Sequence, residues 1–354
     1  MGNKQLYFLG STSPIGYQTN FFHLINKKNY FTYILKGGPG TGKSTLMNKI
    51  ASEFDDRNLE LFYCSTDISA LDAVIINDIK TIIVDGTTPH VFDPIYPAVS
   101  QEIVNLGEFW DRDKMSPHKE AIIHCTDENL KCHSRAKRYV RAFASLNSNI
   151  YSIAYNYILN DKLDGFINRL VHKLFPKGDK KLRGMEFRHI SAFTSKGYLT
   201  QPIPDDYKIY TLNDDYFAGS DYFLKSVSDI ALDRGLKIIL SECAALSNNI
   251  YEHMLIPELR IAFISCNFFN KLELDCEKAI NFNRFYDKES LSSRKQKIAF
   301  DKKACLELAN EASSAITTSN GIHNKLEEYY IKSIDFNGLD IITQKIIEDI
   351  KKKI

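Results

Sequence analysis

The chain has 354 residues, 44% of them hydrophobic, and its 45 basic and 44 acidic residues leave a formal charge of +1. That length and composition predict a globular protein of about two domains, and the charge balance excludes a net electrostatic pull toward nucleic acid or an anionic membrane. No apolar run is long enough to span a bilayer, and seven scattered cysteines behind an N-terminus unlike an export signal predict reduced thiols in the cytoplasm.

The first strongly patterned stretch is Thr32-Tyr33-Ile34-Leu35, whose β-branched and aromatic residues predict a buried strand. Next comes Gly37-Gly38-Pro39-Gly40-Thr41-Gly42-Lys43-Ser44-Thr45, which completes the pattern G-x-x-x-x-G-K-[ST]. Leu46, Ile50 and Phe54 then recur at helical spacing. Strand, glycine-rich loop and helix in that order predict a phosphate-binding loop. Glycines let successive backbone N–H groups turn inward around phosphate oxygens with no Cβ in the way, and the positive end of the helix faces the anion. In this reading Lys43 reaches the β- and γ-phosphates of a nucleotide and the Ser44 hydroxyl coordinates Mg²⁺.

Leu59–Tyr63 reads as a second strand, Ile75–Lys80 as a short helix and Thr81–Asp85 as a third strand that ends in a carboxylate. An apolar strand ending in Asp is the Walker B pattern, which makes Asp85 the candidate for the Mg²⁺ shell beside Ser44. Asp67, just past the second strand, is a candidate general base for a water or a substrate hydroxyl, or else an ordinary loop carboxylate. A loop stiffened by Pro89, Pro94 and Pro97 leaves the carboxyl end of the third strand, where open α/β sheets bind ligands. His90 in that loop contacts a γ-phosphate or second substrate, or serves packing. Gly86 stands where many ATP-hydrolysing motors place a catalytic Glu, which leaves kinase-like or slow-switch chemistry open.

Further on, His124-Cys125 and Cys132-His133 place four potential zinc ligands, at a spacing too wide for the usual cysteine pair and with no second pair following. Arg135, Lys137, Arg138 and Arg141 form a basic run on a predicted helix, either a phosphate-gripping lid or a solvated face. Helical patterning fills about residues 116–175 and 290–354. Pro176-Lys177-Gly178-Asp179-Lys180-Lys181 has the composition of a linker between domains spanning 1–178 and 184–354.

The two spans repeat each other. Thr12–Tyr17 corresponds to Phe193–Tyr198, Tyr33-Ile34-Leu35 to Tyr210-Thr211-Leu212, Leu59–Tyr63 to Leu236–Leu240, Ile75–Lys80 to Leu255–Arg260, and Val104–Asp111 to Ile280–Asp287. An ordered series of matches predicts tandem copies of one α/β unit, each a doubly wound parallel sheet with a helical tail. In the second copy Asp214–Asp221 lies over the glycine-rich loop. Ser220 replaces Lys43, Asp221 replaces Ser44, and Asp214 and Asp215 bring negative charge where phosphate oxygens would lie. Asp85 faces Ser265, and Asp67 faces Ala244 or Ser247. Positions lost together with the loop are the candidates for chemistry, whereas Asn105, Phe109 and Asp111 persist and read as structural.

At the glycine-rich loop, at Asp85-Gly86-Thr87 with Pro89-His90, and at Asn105–Asp111, the chain resembles a poorly characterised family of bacterial P-loop ATPases of spore-forming Gram-positive organisms, built from two P-loop halves. The resemblance spans nearly the whole chain and implies ATP binding at Gly37–Thr45. It departs where family members often retain a second loop. The expectation is therefore a cytoplasmic ATP- and Mg²⁺-binding protein with one working site, its catalytic candidates being Lys43, Asp67 and Asp85. The rival readings are a kinase acting on a small acceptor and a non-catalytic switch in which nucleotide alters the contact between halves. Arg260 and Arg284 are the second-half arginines considered for that first site.

Overall fold

The computed structural model describes residues 2–27, 29–176, 184–246 and 249–354. The first copy contains β1 (Lys4–Phe8), a hairpin of β2 (Ser11–Ser13) and β3 (Gly16–Gln18), α1 (Phe22–Ile25), β4 (Phe31–Lys36), α2 (Lys43–Glu53), β5 (Leu59–Tyr63), β6 (Leu71–Ile76), β7 (Thr81–Asp85) and β8 (Gln101–Asn105). Its tail is α3 (Arg112–Met115), α4 (Lys119–Tyr155) and α5 (Asn160–Leu174). The second copy follows the same plan: β9 (Met185–Phe187), the hairpin β10 (Ser191–Thr194) and β11 (Gly197–Thr200), β12 (Lys208–Asn213), α6 (Ala218–Asp233), β13 (Ile238–Glu242), β14 (Tyr251–Ile256), β15 (Ile261–Cys266) and β16 (Lys278–Asn281). Its tail is α7 (Lys288–Ser292), α8 (Lys295–Ile331) and α9 (Phe336–Lys351).

The six-stranded sheets have the orders β1-β5-β6-β7-β4-β8 and β9-β13-β14-β15-β12-β16, which are the same order strand for strand. Both are α/β sheets with mostly parallel strands. β6 and β14 run antiparallel to their neighbours. The short helix expected over Ile75–Lys80 is instead the end of β6 and a turn. The tight connection Asn77–Lys80 closes with Lys80 at φ 52, as Arg260 does at φ 50 in the second copy, and so short a link can join only antiparallel strands. The register also differs from that read in the sequence, because β13 is Ile238–Glu242 and Tyr63 therefore matches Glu242 rather than Leu240.

Alternation along each strand decides the layering. Tyr33, Leu35, Leu61, Val74 and Ile83 pack with Met47 and Ile50 of α2. Their neighbours Ile34, Phe62, Ala73, Ile75, Ile82 and Val84 share a core with Ile239, Leu255, Ala262 and Ile264 of the second sheet. The second sheet turns Tyr210, Leu212, Leu240 and Phe263 to α6. Each sheet thus carries helices on one face and the other sheet on the opposite face. This corrects the doubly wound expectation: an apolar strand buried on both faces reads the same whether its second cover is a helix or a sheet. Arg188, 2% exposed in its side chain, joins the copies through Glu60 at 2.7 Å, and the Phe8 N–H donates to His189 O at 2.8 Å.

The tails cross over. α4 and α8, each 37 residues, run antiparallel along one another, with Cys305 beside the Phe143 carbonyl and His133 bonded to Ser319 at 2.9 Å. Beyond α4, Leu163, Ile167, Leu170 and Val171 of α5 pack into the core of the second sheet and α6. Beyond α8, Leu339, Ile346, Ile347 and Ile350 of α9 pack into the core of the first sheet and α2. The helices that complete each core therefore come from the other copy, so the chain's division at 178 and 184 separates repeats rather than packed units. Residues 177–181 of the expected linker, and Ser247, lie outside the described residues. Among the described residues no helix is long and apolar enough to cross a membrane.

Candidate functional site

The loop Gly37–Gly42 joins β4 to α2, whose first residue is Lys43. Gly40 at φ 66 and Gly42 at φ 75 adopt the left-handed conformation that side chains disfavour. Lys43 Nζ donates to the Gly37 and Gly38 carbonyls, both at 2.8 Å, and lies 3.7 Å from Asp85 Oδ2. Thr41 Oγ1 donates to Gly38 O at 2.8 Å, and Ser44 Oγ accepts the Leu71 N–H at 2.9 Å. Pro39 is partly buried and Thr45 exposed. From the far end of the chain, Glu327 of α8 accepts the Gly40 N–H at 3.1 Å, and its own neighbour His323 holds that carboxyl below the ordinary range. Trp110 and Tyr330 cover Gly38 and Gly40.

Asp85 ends β7, the strand adjacent and parallel to β4, so the pairing of Leu35 with Asp85 sets the carboxylate beside the start of the loop. Its Oδ1 accepts both the N–H and the hydroxyl of Thr87, at 2.9 and 2.6 Å. Gly86 has no room for a side chain, since a Cβ there would lie 2.4 Å from Ile34 Cγ2. A Glu directly after Asp85 is therefore excluded by packing. Lys36, at the end of β4, donates to Gly86 O at 2.9 Å and Phe92 O at 2.6 Å, and so folds the Gly86–Phe92 loop inward with His90 inside it.

Asp72, the second residue of β6, completes the site. One ligand atom each from Asp72, Asp85 and His90 lie within 4.8 Å of one another. Burial, followed by the charge of Asp85, pushes the Asp72 carboxyl up to about 8, and burial lowers His90 to about 4. Around them stand Tyr17 of the first hairpin, its ring 5.6 Å from that of His90, and Cys64 just past β5, each pushed up by burial. Lys36, Asp72 and Cys64 are absent from the sequence reading, and Tyr17 enters it only as the end of a repeated segment. Asp72 was detectable as a lone carboxylate in an otherwise apolar run, Leu71–Ile76.

The remaining candidates are placed as follows. Asp67 Oδ1 accepts the N–H and hydroxyl of Ser69 at 3.0 and 2.7 Å, an Asx turn in the loop after β5. Asn105 and Asp111 accept backbone N–H groups of the turns they start, and Asn281 and Asp287 do the same in the second copy. In the basic run, Arg141 Nε donates to Pro14 O at 2.6 Å, while Arg135 and Arg138 are exposed. Cys132 is buried in the α4–α8 core and His133 bonds Ser319, whereas His124 is exposed. Arg260 pairs with Asp206 at 2.6 Å, and Arg284 stacks on Phe166 and Phe285.

The second copy supplies an internal control. Asp221 Oδ1 accepts the Tyr251 N–H at 2.8 Å, the contact Ser44 makes with Leu71, which supports the equivalence of the two positions. Phe217 keeps the left-handed turn at φ 66 without a glycine. Asp214 takes up the loop's polar groups, its carboxylate accepting the N–H groups of Tyr216 and Ser220 and the Tyr286 hydroxyl. Asp215 points away to Lys302. Tyr198, Cys243 and Glu252 stand where Tyr17, Cys64 and Asp72 stand, with Asn270 and Ser265 in place of His90 and Asp85.

Comparison with family models, curated proteins and solved structures gives no match. The first copy nevertheless offers a definite chemistry: a glycine-rich loop and the Lys43 ammonium at the start of an 11-residue helix, with two carboxylates and a neutral imidazole close by.

Proposed function

We propose that the chain binds Mg²⁺-ATP at Gly37–Thr45 and hydrolyses it there, with the second copy as a partner that takes no nucleotide. The observation that carries this reading is convergence. The Lys43 ammonium lies 3.7 Å from the Asp85 carboxylate at the carboxyl ends of the adjacent parallel strands β4 and β7, and Ser44 follows Lys43 in the first turn of α2. Backbone N–H groups from Gly38 to Lys43 would bind phosphate oxygens, and Lys43 would leave its carbonyl partners for them, the stronger charge-assisted acceptors. Ser44 and Asp85 would hold Mg²⁺, which neutralises charge on the transferring group. The chemistry of the donors fits such an ion, a hydroxyl at the start of α2 and a carboxylate whose Oδ2 lies 3.7 Å from Lys43. Calorimetric titration with Mg²⁺-ATP and Mg²⁺-GTP, alongside phosphate release without any added acceptor, tests the reading. A saturable signal with acceptor-independent release is expected; no saturable signal with either nucleotide would remove it.

A second reading, an ATP-dependent switch, is favoured by the Glu327–Gly40 contact. A carboxylate on that N–H occupies a phosphate-oxygen position, so nucleotide and the end of α8 compete. Glu327→Gln is expected to tighten ATP binding about three- to tenfold, since the charged acceptor it removes contributes on the order of 1 kcal/mol at a partly exposed place. Fluorescent-nucleotide titration of the variant checks it, and unchanged affinity would mean that the end of α8 does not compete.

A further inference from the structure

We propose that Asp72, Asp85 and His90 hold a divalent metal ion of the Mn²⁺, Fe²⁺ or Zn²⁺ class, bound by the protein without any nucleotide. Their ligand atoms lie mutually within 4.8 Å, so a central point needs only small side-chain adjustments to reach the ~2.0–2.2 Å of metal–nitrogen and metal–oxygen bonds. Two of the polar atoms there lack a hydrogen-bond partner, while Asp85 is bonded by Thr87 and faces Lys43. Asp72 Oδ2 and His90 Nδ1 are sealed from solvent without a hydrogen bond, on side chains of residues that are each 6% exposed. Asp72 Oδ2 faces His90 Nε2 at 4.0 Å, too far for a direct hydrogen bond. The Tyr17 hydroxyl beside them is unpartnered as well.

Two carboxylates and an imidazole converging in a buried place are unfavourable as free charges, and a cation between them would relieve this in place of a retained proton. Lys43 stands at one side of the group, its ammonium 3.7 Å from Asp85 Oδ2. One nitrogen and two carboxylate donors suit Mn²⁺, Fe²⁺ or Zn²⁺, whereas Ca²⁺ and Mg²⁺ take oxygen ligands. Among the described residues this is the one group of three such side chains close enough to share an ion. The site shares Asp85 with the nucleotide reading but needs neither Lys43 nor Ser44, so the two proposals fail separately.

The test is titration of the chelator-stripped full chain with Mn²⁺ alone, the free ion being followed by electron paramagnetic resonance. One saturable equivalent is expected. His90→Gln and Asp72→Asn should each weaken it more than about a hundredfold, a larger loss than outer-shell changes cause. Spin-echo detection of imidazole nitrogen coupled to bound Mn²⁺ in the unsubstituted chain reads the same site without relying on a variant that folds. No saturable binding, binding only when ATP is added, or absence of nitrogen coupling would each overturn the proposal. A chain that binds Mn²⁺ but gives no signal with ATP keeps this site and loses the nucleotide reading.

Discussion

Lys43→Ala is expected to abolish the thermal stabilisation conferred by Mg²⁺-ATP, and Ser220→Ala to leave that stabilisation intact. A ligand at a hundred times its dissociation constant adds about 2.7 kcal/mol to stability, several degrees in melting temperature, and this vanishes when binding does. Removing Lys43 takes away the one ammonium bonded to the Gly37 and Gly38 carbonyls. Ser220 holds the equivalent place in the second copy, where its hydroxyl donates to Phe217 O at 3.1 Å and its N–H to the Asp214 carboxylate. Losing that hydroxyl lowers baseline stability by about 1 kcal/mol with or without nucleotide, so the ligand-dependent shift is the quantity to compare. Thermal scans of the three proteins with and without Mg²⁺-ATP decide it. Equal loss in both variants would mean that the second copy takes part in binding after all.

The contrast between the copies explains what could be read in advance. At Gly37–Thr45 the strand, loop and helix order was legible from residue types at fixed spacing, and Asp85 was legible as the end of an apolar strand, which the structure pairs with β4. Their absence from the second copy was legible by the same comparison, and the geometry adds its reason, since Asp214 takes the inward N–H groups for itself. Asp72 was visible only as a lone carboxylate in an apolar run and Cys64 not at all, because nothing in a buried strand or its flanking loop announces which side chains meet across a sheet. The direction of β6 was misread as a short helix because four turn residues after an apolar run fit either element. Periodicity in the tails identified an apolar face but not what it covers. Leu163 and Leu339 sit on amphipathic helices that would suit either core, and only the antiparallel pairing of α4 with α8 carries each to the opposite one.

Glu252→Gln is expected to stabilise the protein at pH 8 and leave its stability at pH 4.5 unchanged. Burial pushes the Glu252 carboxyl from its ordinary 4.5 up to about 7, although the Tyr198 hydroxyl donates to its Oε2 at 2.7 Å. Oε1 has no partner. Between those values the unfolded chain has released the proton and the folded chain still holds it, so stability falls as pH rises from about 4.5 to about 7 and then levels off. The total is on the order of 3 kcal/mol, and Gln, with no proton to lose, does not incur it. The other groups facing Glu252 are Cys243, whose thiol burial pushes up, Asn270 and His253. His253 accepts the Ser265 N–H on Nδ1 and bonds Ser191 through Nε2, and burial holds it down to about 3. Its contribution has the opposite sign, because the unfolded chain binds a proton there below about 6.5 and the folded chain does not. The two slopes offset each other in the parent between about pH 4.5 and 6.5, so the variant should show a stability that rises through that window. Urea unfolding of both proteins from pH 4.5 to 8 measures the difference. A gap that did not widen with pH would mean that Glu252 is ionised in the folded chain, with a partner other than Tyr198 to hold its charge.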